Sequence, residues 1–187
     1  MKSTLMAILL SLAMIGSVKW NFGPPPPILK PAEKPEIQYI TKQRDVLKGL
    51  EGIYVVVYTP NPELDKYGLT KQIIQTDVEL RLRQYGISVL TEEQWQKTLG
   101  SPILYVKINS AINKEFGWVA IGIHVDLIEG TFLARKSTTC CSSTTWGLSN
   151  VWLGGTNDVK MAREGLTSIV DVFINDHLAA NPKEQSE

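Results

Sequence analysis

The stretch GIYVVVYTP at residues 52–60 is an unbroken run of β-branched and aromatic residues closed by Pro60, and it predicts a strand. After a loop, LTKQIIQTDVELRLRQYG (69–86) changes period. Ile74, Val78, Leu82 and Tyr85 fall on one helical stripe, with Ile73 and Leu80 beside it. Thr70 is placed to cap this helix, Leu69 and Ile74 occupy hydrophobic-staple positions, and Gly86 ends it. ISVL (87–90) predicts a short strand. TEEQ (91–94) is a capping box that opens a brief helix, with Leu90 and Trp95 as a second staple, stopped by Gly100, Ser101 and Pro102.

ILYVKINSAI (103–112) and GWVAIGIHVDLIEGTFLAR (117–135) predict two strands joined through NKEFG as an antiparallel hairpin. The second alternates cleanly. Val119, Ile121, Ile123, Val125 and Leu127 share the face expected in the core, and Trp118, Ala120, Gly122, His124 and Asp126 share the other. A further strand is expected over STTCCSSTTWGLS (137–149), then a turn at GGTND (154–158). A last helix from about Asn157 to Ala180 buries Ala162, Leu166, Ile169, Val170 and Phe173, and Pro182 stops it. The order β-α-β-(α)-β-β-β-α predicts an α+β fold, an α/β sandwich: one mixed sheet of about five strands, with two long helices packed on one face.

Upstream the pattern is different. Lys2 precedes an apolar run from Leu5 to Ile15, followed by Gly16 and Ser17. That run has the length of a signal-peptide core and is shorter than a typical span of about 20 residues. Residues 1–18 are read as an export signal, with an uncleaved inner-membrane anchor through residues 5–18 as the alternative. Ser17 stands where a bacterial lipoprotein signal needs a lipid-accepting cysteine, so ordinary lipidation there is chemically excluded. Residues 19–47, with Pro24 to Pro27, Pro31 and Pro35, are read as a polyproline spacer, or as a docking site for a proline-recognising domain. Residues 48–182 form the single domain, and 183–187 a tail. The protein is expected to be periplasmic or secreted.

Composition narrows the function. The chain has 187 residues and 43% hydrophobic content, with 19 basic and 19 acidic side chains, so its formal net charge is zero. No basic block interleaves with aromatics, which argues against nucleic acid as a partner.

The candidate chemistry is sparse. Cys140 and Cys141 are adjacent, so in a strand they point to opposite faces and cannot bond to each other. One is expected to face the core. There is no CxxC, and His124 and His177 lie far off in sequence, so no metal site or cofactor is expected. A Cys-His-Asp set can be assembled from His124, Asp126 and either cysteine, but the simpler reading is a solvated polar face and unreactive thiols, with an intermolecular disulfide next and a catalytic thiol last. WLGGTND (152–158) lacks the phosphate-loop pattern. The tryptophans are more suggestive: if helices cover one face only, Trp118, Trp146 and Trp152, with His124, form a binding surface on the other; the alternative is a small second core under the linker, or a sheet packed on both sides.

GLTKQIIQTDVELRLRQYGISVL and FINDHLAANP, together with the N-terminal segment, resemble an uncharacterised family of exported bacterial proteins. More loosely, the order of elements resembles envelope-assembly domains of the TolB amino-terminal, CsgG and LpoB-like type. That resemblance implies an interaction module with an envelope protein partner and brings no catalytic residues. The leading expectation is a non-enzymatic interaction or assembly protein. A small-ligand-binding protein of the envelope, and then a Cys/His hydrolase, are the alternatives.

Overall fold

The computed structural model describes residues 42–59 and 61–182. The expected signal, most of the proline-rich spacer and the tail lie outside them. Five strands form one sheet in the order β2-β1-β3-β4-β5: β1 (Gly52–Tyr58), β2 (Ser88–Val89), β3 (Ile103–Asn113), β4 (Trp118–Leu133) and β5 (Lys136–Gly155). β1 is parallel to both β2 and β3, and β3-β4-β5 is an antiparallel meander. The helices are α1 (Lys71–Gln84), α2 (Glu92–Lys97) and α3 (Lys160–Ala180). The α+β architecture and element order follow the pattern read from sequence.

Local chemistry sets the helix ends. The Ile73 N–H donates to Thr70 Oγ1 at 3.2 Å, and Thr91 and Gln94 form the reciprocal capping box. Gly86 has φ +79°, the left-handed conformation that lets the chain turn from α1 toward β2. Tyr85 departs from the expected stripe. It sits at the C-cap, beyond the last helical turn, and is exposed, with the Arg81 guanidinium over its ring. The buried stripe of α1 is Ile74, Val78 and Leu82.

The two long helices lie on one face of the sheet. There Ile53, Val55 and Val57 of β1, Leu104, Val106 and Ile108 of β3, and the odd-numbered residues 119–127 of β4 are all buried. They meet α1 and the stripe Ala162, Leu166, Ile169, Val170, Phe173 and Ile174 of α3. Two forked arginine–carboxylate pairs tie the helices together. Arg81 donates to Asp171 at 2.7 and 2.8 Å, and Arg163 to Asp77 at 2.5 and 2.6 Å.

The packed body reaches further back than the sequence boundary at residue 48. A 3-10 turn spans Gln43–Leu47, and Leu47 is fully buried. Asn181, just past α3, holds this turn. Its Nδ2 donates to Leu47 O at 2.8 Å, and its Oδ1 accepts from the Gly49 N–H at 2.7 Å. A spacer cannot include a residue that fills the core, so residues 43–47 belong to the domain. Nearby, His177 Nε2 lies 3.0 Å from Leu50 O, while its Nδ1 is buried without a hydrogen-bond partner among the described residues. No helix among the described residues is long and apolar enough to cross a membrane.

Candidate interaction surface

Among the described residues, the opposite face of the sheet carries no long helix. The short α2 covers only one corner, where Trp95 stacks on Tyr54 at 5.4 Å. Strand alternation and register lay out the rest. Trp118 pairs with Asn113 of β3 and Gly155 of β5; Ala120 with Ala111 and Leu153; Gly122 with Asn109 and Val151. Further along, His124 pairs with Lys107 and Ser149, and Asp126 with Tyr105 and Gly147. The face therefore has two halves, one apolar and one polar.

The apolar half is open to solvent. Trp118 is 61% exposed, Val151 74% and Leu153 65%. Between them lie the small residues Ala111, Ala120 and Gly122, with Asn109 and Asn113 of β3 on the same face. A Cβ built on Gly122 would meet nothing nearer than His124 Nε2 at 3.9 Å, so that position is open space. Trp118, Val151 and Leu153 stand exposed beside these small residues. Phe116, in the β3–β4 turn, adds another exposed ring. β5 is the edge strand, so the strand that carries Val151 and Leu153 has one side unpaired by the sheet.

The polar half is a shallow depression. Gln43, His124, Asp126, Gly147 and Ser149 line it. Burial holds the Asp126 carboxyl above the usual aspartate range, while the positive charges of His124 and Lys107 pull it the other way. Burial likewise raises the Tyr105 hydroxyl, helped by Tyr58 and Asp126. Gly147 is needed for the close approach of Asp126: a Cβ there would fall 2.5 Å from Asp126 Oδ1. Gln43 Nε2 donates to Gly147 O at 3.0 Å, so the start of the described chain reaches the β5 edge at this point.

Of the residues expected to form a binding surface, Trp118 and His124 lie on the open face as read. Trp146 does not. It is 1% exposed and on the helix side, because its register partner is Leu127. Its ring meets Phe173 edge-on at 5.0 Å, and its indole N–H donates to Asp176 Oδ2 at 2.9 Å. A buried indole needs such an acceptor, and α3 supplies it. Trp152 is half-buried, packs against the core, and lies over Gly154, where a Cβ would clash with its ring at 2.2 Å.

Nor are the cysteines where a core residue or a nucleophile would be. Both are half-buried free thiols. Cys140 pairs with Phe132 and Cys141 with Thr131, on a part of the β4–β5 ribbon beyond the helix layer. They point to opposite sides as expected, yet neither enters the core. Phe132 lies eight residues along β4 from His124, roughly 26 Å at strand rise, so the structure does not bring His124 and Asp126 together with a thiol.

Val151 and Leu153 were missed in the sequence because β5 was expected to end at Ser149. It runs on to Gly155. The signal was present in NVWLGG, an apolar β-prone triplet directly before two glycines.

No family model matches this chain, and no curated protein matches it. Among solved structures, it is similar to the PelC dodecamer from Paraburkholderia phytofirmans, with 15% identity over 70% of this chain and 87% of that one, at a TM-score of 0.33. A point variant of the same PelC dodecamer gives 16% identity, 70% and 86% coverage, and a TM-score of 0.34. Likenesses at this level carry no argument about assembly or activity.

Proposed function

We propose that this chain is an exported, non-enzymatic interaction protein of the cell envelope. Its open sheet face, with the adjoining β5 edge, binds a protein partner. The observation that carries this reading is the contiguous exposed patch of Trp118, Val151 and Leu153 on a face that no long helix among the described residues covers. Central aromatic and aliphatic anchors beside a polar rim are the usual make-up of a protein-binding surface, and here the rim is His124, Asp126, Lys107 and Ser149. The periplasmic placement rests on the N-terminal segment, with Lys2 ahead of the apolar run Leu5 to Ile15.

The test is recovery of an envelope protein by crosslinking to the full chain in its native host. Trp118→Ala should lower recovery of the same protein about tenfold or more, as truncation of an interface anchor does. Equal recovery by both chains would overturn the reading.

A second reading, a small polar ligand in the depression around His124 and Asp126, is favoured by one observation. Asp126 sits with its carboxyl raised by burial, directly beside His124 and opposite Gly147. His124→Ala should abolish such binding, while its effect on recovery of the protein partner should be far smaller than that of Trp118→Ala.

A further inference from the structure

We propose that the cleft between α1 and α3 is a binding site for a small apolar carboxylate, with the acid head on Arg81 and the apolar body against Val78, Leu166 and Val170. The site lies on the helix side of the sheet, so it stands whether or not the open face binds a protein.

The cleft follows from how the two helices are tied. Asp77 and Arg81 of α1 pair with Arg163 and Asp171 of α3. The pairs advance in the same direction along both helices, but by four residues on α1 and eight on α3. At helical rise that is roughly 6 Å against 12 Å. Between the two ties the helices leave a cleft of about 210 Å³. Val78, Leu166 and Val170, each no more than 2% exposed, line its depth. The exposed Leu80 and Thr167 stand at its mouth. An apolar cavity of about 150 Å³ admits a benzene-sized molecule, so this cleft suits a small body of that kind or slightly larger.

The placement of the charges selects the head group. Both arginines line the cleft, but their partners differ. Asp77 lines it beside Arg163, so that end is neutralised from within. Asp171 is not among the lining residues and holds Arg81 from outside. The Arg81 guanidinium also lies over the Tyr85 ring, 5.4 Å from its centroid, so it is positioned before a ligand arrives. Among the described residues, Asp171 engages the Nε donor and one on Nη2, which leaves the Nη1 donors for an incoming acceptor. Gln84 lines the same end and brings a side-chain amide. A carboxylate matches the planar donors of a guanidinium, whereas a cation would be repelled by Arg81 and a neutral apolar molecule would leave those donors without a charged acceptor.

The experiment titrates octanoate into the full-length chain labelled with nitrogen-15 and follows the backbone amide signals. Saturable shifts should appear in residues 77–84 of α1 and 163–170 of α3, with a Kd on the order of 0.1 to 1 mM for a ligand of this size. Octanol, with the same body and no charge, should bind about tenfold more weakly, the worth of one charge-assisted hydrogen bond. Arg81→Gln should weaken octanoate by about the same factor. Asp171→Asn breaks the same ion pair but removes a competing negative charge, so octanoate affinity should hold or rise. If the pair served only to brace the helices, both variants would lose affinity alike. Thr167→Trp fills the mouth from an exposed position and should abolish the shifts. A cooperative melt for each variant confirms that it is folded, and the octanol comparison needs no variant at all. Octanol binding as tightly as octanoate, equal losses in Arg81→Gln and Asp171→Asn, shifts that persist in Thr167→Trp or fall on the open face instead, or no saturation at about tenfold the expected Kd would each overturn the proposal.

Discussion

The two faces of this sheet are built from the same strands and do different work. Under the long helices, β4 contributes Val119, Ile121, Ile123, Val125 and Leu127, all essentially inaccessible to solvent. One residue over, the same strand shows Trp118, Ala120, Gly122, His124 and Asp126 to the other side. Two tryptophans make the contrast concrete. Trp146 has a ring partner in Phe173 and an acceptor in Asp176, whereas Trp118 stands 61% exposed. A large aromatic left in water contributes little to folding, so its place on the surface points to binding.

The sharpest break of this comparison is substitution of each tryptophan in turn. Trp146→Ala should cost about 3–5 kcal/mol in urea unfolding, since it leaves a cavity against Phe173 and an unpaired Asp176. Trp118→Ala should stay within about 0.5 kcal/mol of the parent while weakening partner recovery. Similar losses at both sites would mean that the open face is a second core.

Next in size is the latch at the start of the domain. Asn181→Ala removes the bonds to Leu47 O and the Gly49 N–H, and should cost about 1–3 kcal/mol. Hydrogen exchange should rise first at residues 43–50, because the 3-10 turn is held to α3 through this side chain.

Smaller effects come from the polar half of the open face. Gly147→Ala forces the Asp126 carboxylate aside and should lower the melting temperature slightly. The same change should be silent in an Asp126→Ala background, which a double-mutant cycle would read as coupling.

Asp126 also gives a pH signature. Its folded carboxyl is raised by burial, so the folded state binds the proton more tightly than the unfolded chain. Ionised Asp126 therefore subtracts from stability at neutral pH, and the loss is recovered as pH falls through the raised carboxyl range. Asp126→Asn should melt slightly higher than the parent at pH 7, with the difference closing in acid. A difference that grows in acid would contradict this assignment.

These two faces were not equally legible in the sequence. Helix caps are local, so Thr70 and the Thr91–Gln94 box could be read from a few residues, and the alternation of β4 marked both of its faces. β5 was opaque for a physical reason. Its serines and threonines suit either side, and its register with β4 shifts between Leu127 and Ile128, where Trp146 pairs with Leu127 and Thr144 with Ile128. The extra residue, Thr145, bonds Glu129 at 2.6 Å and breaks the period-two pattern. Which way Trp146 points is decided by that bulge and by Asp176 thirty residues later, and neither leaves a mark in the local sequence. The exposed patch was hidden as well, since it joins Trp118 of β4 to Val151 and Leu153 at the end of β5, beyond the expected strand end at Ser149. Asn181, visible only as a residue before a proline, acquires its role from contacts with the start of the domain, far away in the chain.

The central claim is that the open face, and not the helix layer, is the interaction surface. The most direct measurement places the same photoreactive residue at Val151 on the open face and, separately, at the exposed Leu80 on α1, in full chains within the native host. The account predicts one recurrent envelope-protein adduct at Val151, reduced by Trp118→Ala, and none of it at Leu80. The same adduct at both positions, or at Leu80 alone, would contradict it.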